Sequence, residues 1–308
     1  MRIAAISDIH GNLPALEAVL SDIAAQRVDV IVNLGDILSG PLWAAATADH
    51  LIALALPTIA GNHERQLLTQ SRDRMSPPGR PKGEYRRAQR GGFLISPPGR
   101  PKGAYRRAQR GGCLMSASDA HTHDELLPRH RDWLARLPPT LQLSDEVFCC
   151  HGTPTSDLAY FLETTVPGFI GVGLGANGVR AATLHEATER AGPAMRCLAH
   201  AVILCGHTHL PHAMQLADGR LVVNPGSVGL QGFDDDHGHA HVIETGAPHA
   251  RYALLERGAT GWSVALRAVR YDWEAAAQRA EREQRPDWAD TLRTGFVGRL
   301  EATGATAR

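Results

Sequence analysis

The sequence predicts a layered α/β fold that ends in helices. Short apolar runs alternate with amphipathic segments over the first sixty residues, and polar residues typical of metal ligands follow the runs. Residues 272–308 are rich in Ala, Glu and Arg, a composition that favours helices. The order strand, helix, strand, helix, strand describes a βαβαβ unit with right-handed crossovers. A chain of 308 residues is long enough to bury a substantial core around such a sheet.

The first strand and helix are predicted within residues 2–23. Residues 2–6 have the length and apolar character of a short buried strand. Asn12 is a suitable N-cap for the helix that follows, and Pro14 suits its first turn. Apolar side chains at helical spacing then predict one buried face. They are Leu13, Leu16, Leu20 and Ile23.

Similar runs predict the rest of the fold. Residues 29–34 are nearly continuous in apolar side chains, which is typical of a strand covered on both faces. A helix rich in Ala and Leu is expected over about 43–55, and a third strand over 57–60. Later strands are predicted at 146–150, 201–205 and 221–223, followed by an antiparallel pair at 252–255 and 262–269. The tail, 272–308, is expected to form one or two surface helices packed by Trp273, Trp288, Leu292 and Phe296.

A basic tandem repeat interrupts this pattern at 76–115. Residues 96–115 repeat 76–95 with changes at three positions, and the segment holds ten Lys and Arg residues against one acid, Glu84. Its Pro, Gly and Arg content cannot bury enough surface to offset chain entropy, so a disordered insert in a surface loop is expected. Nucleic-acid binding through these arginines is an alternative, which we regard as less favoured than a passive insertion.

Bulk composition excludes several classes of protein. The formal net charge is zero, which argues against a wholesale nucleic-acid or membrane binder. No apolar run reaches the length of about 20 residues that a membrane span requires. Five cysteines form no CxxC pair, and the N-terminus turns polar at Ser7 and Asp8. These features predict reduced thiols in a cytoplasmic protein.

Candidate metal ligands follow the predicted strands at their carboxyl ends. The residues in question are Asp8, His10, Asp36, Asn62, His63, His151, His207 and His209. Loops at this edge of an α/β sheet converge from different strands, so side chains far apart in sequence meet there. Two divalent ions roughly 3.5–4 Å apart can clamp the attacking and leaving oxygens of a phosphate ester. Such ions repel each other and need an anionic bridge, for which Asp36 is the natural candidate.

The motifs D-x-H, G-D, G-N-H-E, H and G-H-x-H stand in this order in the chain. In this respect the sequence resembles the calcineurin-like metallophosphoesterases, and within them small prokaryotic phosphoesterases. The resemblance spans roughly residues 1–255 apart from the repeat. It implies an αββα sandwich with mixed sheets, and we therefore expect a domain over 1–271 and a helical tail over 272–308. Residues 154–195 are expected to cap the metals, although a packed helical segment without substrate contact is an equal alternative.

The resemblance also implies a role for each ligand. Asp8, His10 and His209 would hold one metal, Asn62, His151 and His207 the other, and Asp36 would bridge them. His63 would act as general acid or stabilise the transition state, oriented by Glu64. Asp36, His63 and Glu64 are thus the expected catalytic residues.

The implied reaction is hydrolysis of a small phosphorylated substrate, such as a nucleotide or a phosphodiester, by a metal-bridged hydroxide. Mixed imidazole, carboxylate and amide ligation suits Mn, Fe, Zn or Ni, and Mn is favoured here. A metal-binding scaffold without catalysis is the main alternative.

Two further histidine-rich stretches invite a metal interpretation. Residues 234–241 combine three aspartates with three histidines, but a solvated loop before a strand is favoured because adjacent acids repel. Residues 120–125 are expected to begin a helix, with Thr122 as its N-cap and Asp124 and Glu125 in its first turn.

Overall fold

The computed structural model describes residues 1–69, 116–170, 176–194 and 201–298. The predicted insert at 76–115 lies outside these described residues. The predicted fold class is confirmed, because two mixed sheets pack face to face with helices on both outer surfaces.

The described residues form three sheets. In chain order the strands are β1 (Arg2–Ile6), β2 (Val30–Asn33), β3 (Thr140–Ser144), β4 (Val147–Cys150), β5 (Glu163–Ile170), β6 (Ala176–Ala181), β7 (Val202–Leu204), β8 (His212–Gln215), β9 (Leu221–Asn224), β10 (Gly232–Asp235), β11 (His241–Glu244), β12 (Ala250–Gly258) and β13 (Gly261–Val269). The first sheet has the order β13-β12-β1-β2, the second β3-β4-β7-β9-β8, and the third β10-β11-β6-β5. The parallel pairs are β1–β2 in the first sheet and β4–β7 and β7–β9 in the second, and the other neighbouring strands of these two sheets are antiparallel.

Helices cover the sandwich on its two outer faces. They are α1 (Leu13–Ala24), α2 (Ala44–Leu54), α3 (Asn62–Thr69), α4 (Ala117–Glu125), α5 (Pro128–Leu134), α6 (Leu184–Ala191), α7 (Trp273–Arg282) and α8 (Pro286–Thr294). None of the helices in the described ranges is long and apolar enough to cross a membrane.

Alternation along β1 shows how the layers are built. Ile3 and Ala5 join the core between the two sheets, while Ala4 and Ile6 join the core beneath α1, α2, α7 and α8. Successive side chains of a strand point to opposite faces, so a strand covered on both sides is apolar throughout. On the far side of the second sheet, Ile203 packs with Ala187 of α6.

The first crossover is confirmed, but the buried face of α1 is shifted from the predicted one: it consists of Ala15, Leu16, Val19 and Ile23, and Leu13 and Leu20 are only partly buried. The Asn12 side chain accepts a hydrogen bond from the Ala15 amide and caps α1, and Pro14 lies in the first turn. The helix predicted over 43–55 is α2, and it ends where Ala55 adopts a left-handed conformation.

The prediction of a third strand over 57–60 is wrong, because these residues do not form a regular strand. Only an isolated parallel bridge joins Asn33 to Thr58. Pro57 accepts from the Asn33 amide through its carbonyl but has no N–H to extend the ladder. After Ile59 the chain leaves the sheet toward α3, which begins at Asn62.

The antiparallel pair near the C-terminus is confirmed and is longer than predicted, with β12 and β13 pairing from Ala250–Val269 to Gly258–Gly261. The described part of the tail, residues 272–298, forms two helices, α7 and α8. Trp288 and Leu292 are buried in the main core, and Trp273 packs against it half-buried. Surface helices were expected here, but one face of these helices is buried in the main core.

Two local expectations need correction. Residues 234–241 are not simply a loop, since they contain the end of β10 and the start of β11, which pair with each other. In α4 the N-cap is Ser116, so Thr122 lies inside the helix and Glu125 ends it. Thr122 is held there because its hydroxyl bonds to the Gly40 amide and the Leu38 carbonyl.

Candidate metal centre

The predicted ligands converge at the carboxyl ends of the central strands. Asp8 and His10 follow β1, Asp36 follows β2, His151 follows β4, and His207 and His209 follow β7. Asn62 is the first residue of α3. Five of them have positive φ: Asp8 (55°), His10 (51°), Asp36 (53°), His207 (70°) and His209 (59°). Such conformations are uncommon outside glycine, and strained residues cluster at functional sites.

Two glycines bring the second and third ligand loops into contact. Gly35 has a φ of +97°, and a Cβ there would collide with the backbone nitrogen of Gly61. A Cβ at Gly61 would in turn collide with a carboxylate oxygen of Asp36. Glycine is therefore required on both sides of this contact, which accounts for the first residue of the G-D motif and of the G-N-H motif.

Asp8, His10 and His209 form a first group whose ligand atoms lie within 4.8 Å of one another. His10 Nδ1 donates to the Ser39 carbonyl at 2.7 Å, and His209 Nδ1 donates to the Leu230 carbonyl at 2.7 Å. These bonds fix the tautomers, so in the neutral rings both Nε2 atoms carry lone pairs.

The two Nε2 atoms of His10 and His209 are only 3.1 Å apart. Burial lowers the pKa of His10 to about 4 and holds that of His209 well below its usual range. Two neutral rings in these tautomers cannot hydrogen-bond to each other through Nε2. Their lone pairs, with Asp8 Oδ1 at 3.5 Å from His209 Nε2, are complementary to a cation.

Asp36, His151 and His207 form a second group of the same kind. His151 Nδ1 donates to the Leu34 carbonyl at 2.8 Å, and His207 Nε2 donates to the Leu158 carbonyl at 3.1 Å. Each ring therefore has one nitrogen left for a metal. Asn62 Oδ1 is buried without a hydrogen-bond partner, which is rare for a polar atom and fits a metal ligand.

The negative charge of Asp36 favours positive charge in this second group. His151 Nε2 lies 3.1 Å from Asp36 Oδ2. Burial lowers the pKa of His151, but Asp36 outweighs it and raises the pKa to about 9. Burial raises the pKa of Asp36, yet His151 and His63 hold it well below its usual range. An anionic Asp36 surrounded by histidines suits a metal ion, whose positive charge would replace the bound proton.

Asp36 also acts on the first group, because its charge opposes the effect of burial on the pKa of both His10 and His209. Asp8 is fully buried, and burial raises its pKa to about 7. Its carboxylate accepts from the His207 amide at 3.2 Å, which links the loops of the two groups. The residues present thus fit two neighbouring cations, and the charge of Asp36 acts on both ligand groups.

His63 lies beside these groups with a quarter of its side chain exposed. Its Nε2 is 4.0 Å from Asp36 Oδ2, and its ring centroid is 5.6 Å from that of His10. Burial lowers the pKa of His63, but Asp36 and Asp119 together raise it to about 10. The ring is accessible from the cavity and favours a proton.

Glu64 does not make the contact that was expected of it. Its Oε2 accepts from the amides of Asp36 (2.9 Å) and Gly61 (2.8 Å), and its Oε1 accepts from the amide of Ile37 (2.8 Å). Both oxygens are therefore committed to the backbone of the ligand loops. His63 Nδ1 donates instead to Asp119 Oδ1 at 3.0 Å.

Asp119 is a site residue that the sequence did not reveal. It lies on α4, directly after the repeat, and not at a strand end. The one local signal is the S-x-x-D pattern from Ser116 to Asp119, typical of a helix N-terminus. That pattern places a helix but does not indicate which residue its acid contacts.

A cavity of about 690 Å³ opens over the two groups. Aromatic rings stand beside the histidines: Phe233 is 4.6 Å from His209, Tyr160 is 5.0 Å from His207, and Trp288 is 6.0 Å from His10, measured between ring centroids. Arg190 and Arg285 also line the cavity, so its walls come from the 154–195 segment, from β10 and from the C-terminal helices.

Known proteins resemble this chain in sequence and in fold. A family model described as the calcineurin-like phosphoesterase superfamily domain matches residues 1–247. A metallophosphoesterase from Sphaerobacter thermophilus has a similar structure, with a TM-score of 0.60 at 22% identity over 96% of this chain and 99% of that chain. A hypothetical protein from Pyrococcus horikoshii OT3 is similar too, with a TM-score of 0.59 at 20% identity over 96% and 99% of the two chains. No curated protein matches the sequence. The chain belongs to the calcineurin-like phosphoesterase superfamily.

Proposed function

We propose that this protein is a hydrolase of phosphate esters that uses two divalent metal ions. The observation that carries the proposal is the pair of adjacent ligand groups, Asp8–His10–His209 and Asp36–His151–His207. In each group the histidines turn one ring nitrogen toward a backbone carbonyl, which leaves the other to a cation. Family membership supports phosphoester hydrolysis in general.

The first ion would be held by Asp8, His10 and His209, and the second by Asn62, His151 and His207, with Asp36 between them. When bound, the ions would supply positive charge for the phosphate oxygens and lower the pKa of water toward neutrality. Imidazole, carboxylate and amide donors suit Mn, Fe, Zn or Ni, and we propose Mn. Glu64 would keep Asp36 in place by accepting hydrogen bonds from three backbone amides of the ligand loops.

His63 would assist the departure of the leaving group. Its ring faces the cavity, lies next to the first ligand group, and is hydrogen-bonded through Nδ1 to Asp119. A protonated imidazole at this place can donate its Nε2 proton to a departing alkoxide or phenolate, so that no free strong base has to form. General-acid catalysis of this kind typically contributes about 10²–10⁴-fold in rate.

The cavity supports a small phosphorylated substrate. Its volume of about 690 Å³ is within the usual range for pockets that hold small molecules. Aromatic edges would contact the parts of the substrate beyond the phosphate, as in a nucleotide or a phosphodiester, and Arg190 and Arg285 would add positive charge to the cavity wall. Residues 154–195 would then act as a cap, since Tyr160, Thr164 and Arg190 line this space.

We also propose a cytoplasmic location. Cys149, Cys150 and Cys205 are buried free thiols, and burial raises the pKa of each. Unpaired cysteines are typical of reducing compartments.

The function is tested on protein reconstituted with Mn, using p-nitrophenyl phosphate and bis-p-nitrophenyl phosphate. Asp36→Ala should lose both hydrolysis and bound metal. His63→Gln should lower kcat while metal content is unchanged, by about 10²–10⁴-fold on an ester whose leaving group needs proton assistance, such as phenyl phosphate, and by less on the p-nitrophenyl esters. His185→Gln is the matched control, since that histidine is 81% exposed on α6. Metal-loaded wild-type protein that is inert across a panel of mono- and diesters would indicate a metal-binding scaffold instead.

A further inference from the structure

We propose that Asp119 is the positioning residue of His63, an inference that rests on the function proposed above. The carboxylate is 1% exposed, and its Oδ1 accepts from His63 Nδ1 at 3.0 Å. An imidazole held in this way by a buried carboxylate keeps one tautomer and one orientation. The nitrogen nearer to Asp36, Nε2, is then the one available to a leaving group.

Asp119 is itself fixed by the start of its helix. The Ser116 hydroxyl accepts from the Asp119 amide at 3.0 Å and donates to Asp119 Oδ2 at 2.7 Å. Both carboxylate oxygens are thus engaged, one by the helix cap and one by His63. The carboxylate cannot rotate away from His63 without losing the bond to Ser116.

The helix that carries Asp119 is bonded to the loop that orients His10. Thr122 Oγ1 accepts from the Gly40 amide at 3.0 Å and donates to the Leu38 carbonyl at 3.1 Å. The Ser39 carbonyl in the same loop accepts from His10 Nδ1. The general acid and a metal ligand are therefore positioned by one connected piece of structure.

The C-terminal helices hold α4 from its other side. Arg285 Nη1 donates to Ser118 Oγ at 2.9 Å, and Arg279 Nη2 donates to Glu125 Oε1 at 2.8 Å. Both arginines lie beyond residue 247, where the match to the family domain ends. Positioning of His63 in this chain thus draws on residues outside the recognised motifs.

A purely structural link between α3 and α4 is the competing interpretation. It predicts that loss of Asp119 lowers stability and affects all substrates equally. A positioning role predicts a loss that depends on His63 and on the leaving group. The two interpretations therefore differ in measurable ways.

The kinetic test uses the full-length protein loaded with Mn and the variants Asp119→Ala, His63→Ala and the double variant. Asp119→Ala should lower kcat by roughly ten- to a hundredfold with little change in KM or metal content. The loss should be larger for phenyl phosphate than for p-nitrophenyl phosphate, whose leaving group needs less proton assistance. In the His63→Ala background, Asp119→Ala should have no further effect. Asp124→Ala, at an exposed site on the same helix, should match wild type.

Independent losses that add in the double variant would overturn the proposal, as would an equal loss on both substrates. A second measurement needs no hydrolysis: the His63 Nδ1–H signal in ¹⁵N-labelled protein kept free of Mn, which is paramagnetic and would broaden the signal, assigned by its absence in His63→Ala. It should be visible in wild type and Asp124→Ala, vanish in Asp119→Ala, and return in Asp119→Asn, which keeps an acceptor oxygen. A signal that persists in Asp119→Ala contradicts the proposal. If wild type hydrolyses nothing, the proposed function fails, and this measurement still decides whether Asp119 fixes His63.

Discussion

The side chain of Glu64 is buried among main-chain amides, while its neighbour His63 faces the cavity. Glu64→Gln would replace one acceptor oxygen by an NH₂ group that faces N–H donors. At least one buried amide would lose its partner, so the free energy of unfolding should fall by about 1–3 kcal/mol. The measurement is denaturant unfolding of the metal-free protein. Glu189→Gln, 69% exposed on α6, is the control, and a Glu64→Gln protein as stable as this control would contradict the assignment.

Residues at strand ends could be predicted because each follows an apolar run directly in sequence. Asp8, Asp36 and His151 are examples, and the structure brings all three to one edge of the sandwich. Asp119 could not be found in this way, since its contact with His63 depends on how two helices pack across the repeat. The partners of Glu64 are backbone amides, which no side-chain pattern encodes.

Helix α8 packs against both the main core and the candidate site, through Trp288. Trp288 is 8% exposed, and a Cβ placed on Gly40 would lie 2.8 Å from its ring. Trp288→Ala should therefore leave a cavity next to His10 and lower the free energy of unfolding by about 3–5 kcal/mol. Thermal or denaturant unfolding of the metal-free protein measures this. Trp273→Ala serves as the control and should lower the free energy of unfolding by less, because that ring is half-buried. Equal decreases in the two variants would mean that α8 does not pack as described.

Elements were predictable where a local pattern matched the fold. The strand and helix of the first crossover were found because the apolar alternation and the Asn12 cap are local signals. The third sheet was missed because its strands are polar or broken by Pro and Gly, as in β5 and β10. Their pairing joins distant segments, β11 with β6, which sequence periodicity does not report.

For the whole molecule, metal binding and stability should be linked. Asp8 is buried, which raises its pKa, and the Nε2 lone pairs of His10 and His209 face each other. A bound cation would offset both the burial of the carboxylate and the repulsion between the lone pairs. A ligand that binds only the folded state stabilises it by about 2.7 kcal/mol at a concentration of one hundred times its Kd. Removing metal with EDTA should therefore lower the Tm, and adding Mn should restore it. NaCl at equal ionic strength is the control, and an unchanged Tm on metal removal would argue against buried ions.

The proposed hydrolytic site requires two ions that act together. Metal-free protein is titrated with Mn while bound metal and hydrolysis of bis-p-nitrophenyl phosphate and p-nitrophenyl phosphate are measured on the same sample. We expect hydrolysis to rise with occupancy and to reach its maximum at two ions per chain, matching the two ligand groups. Maximal hydrolysis at one ion per chain, or none of either substrate at two, would contradict the claim.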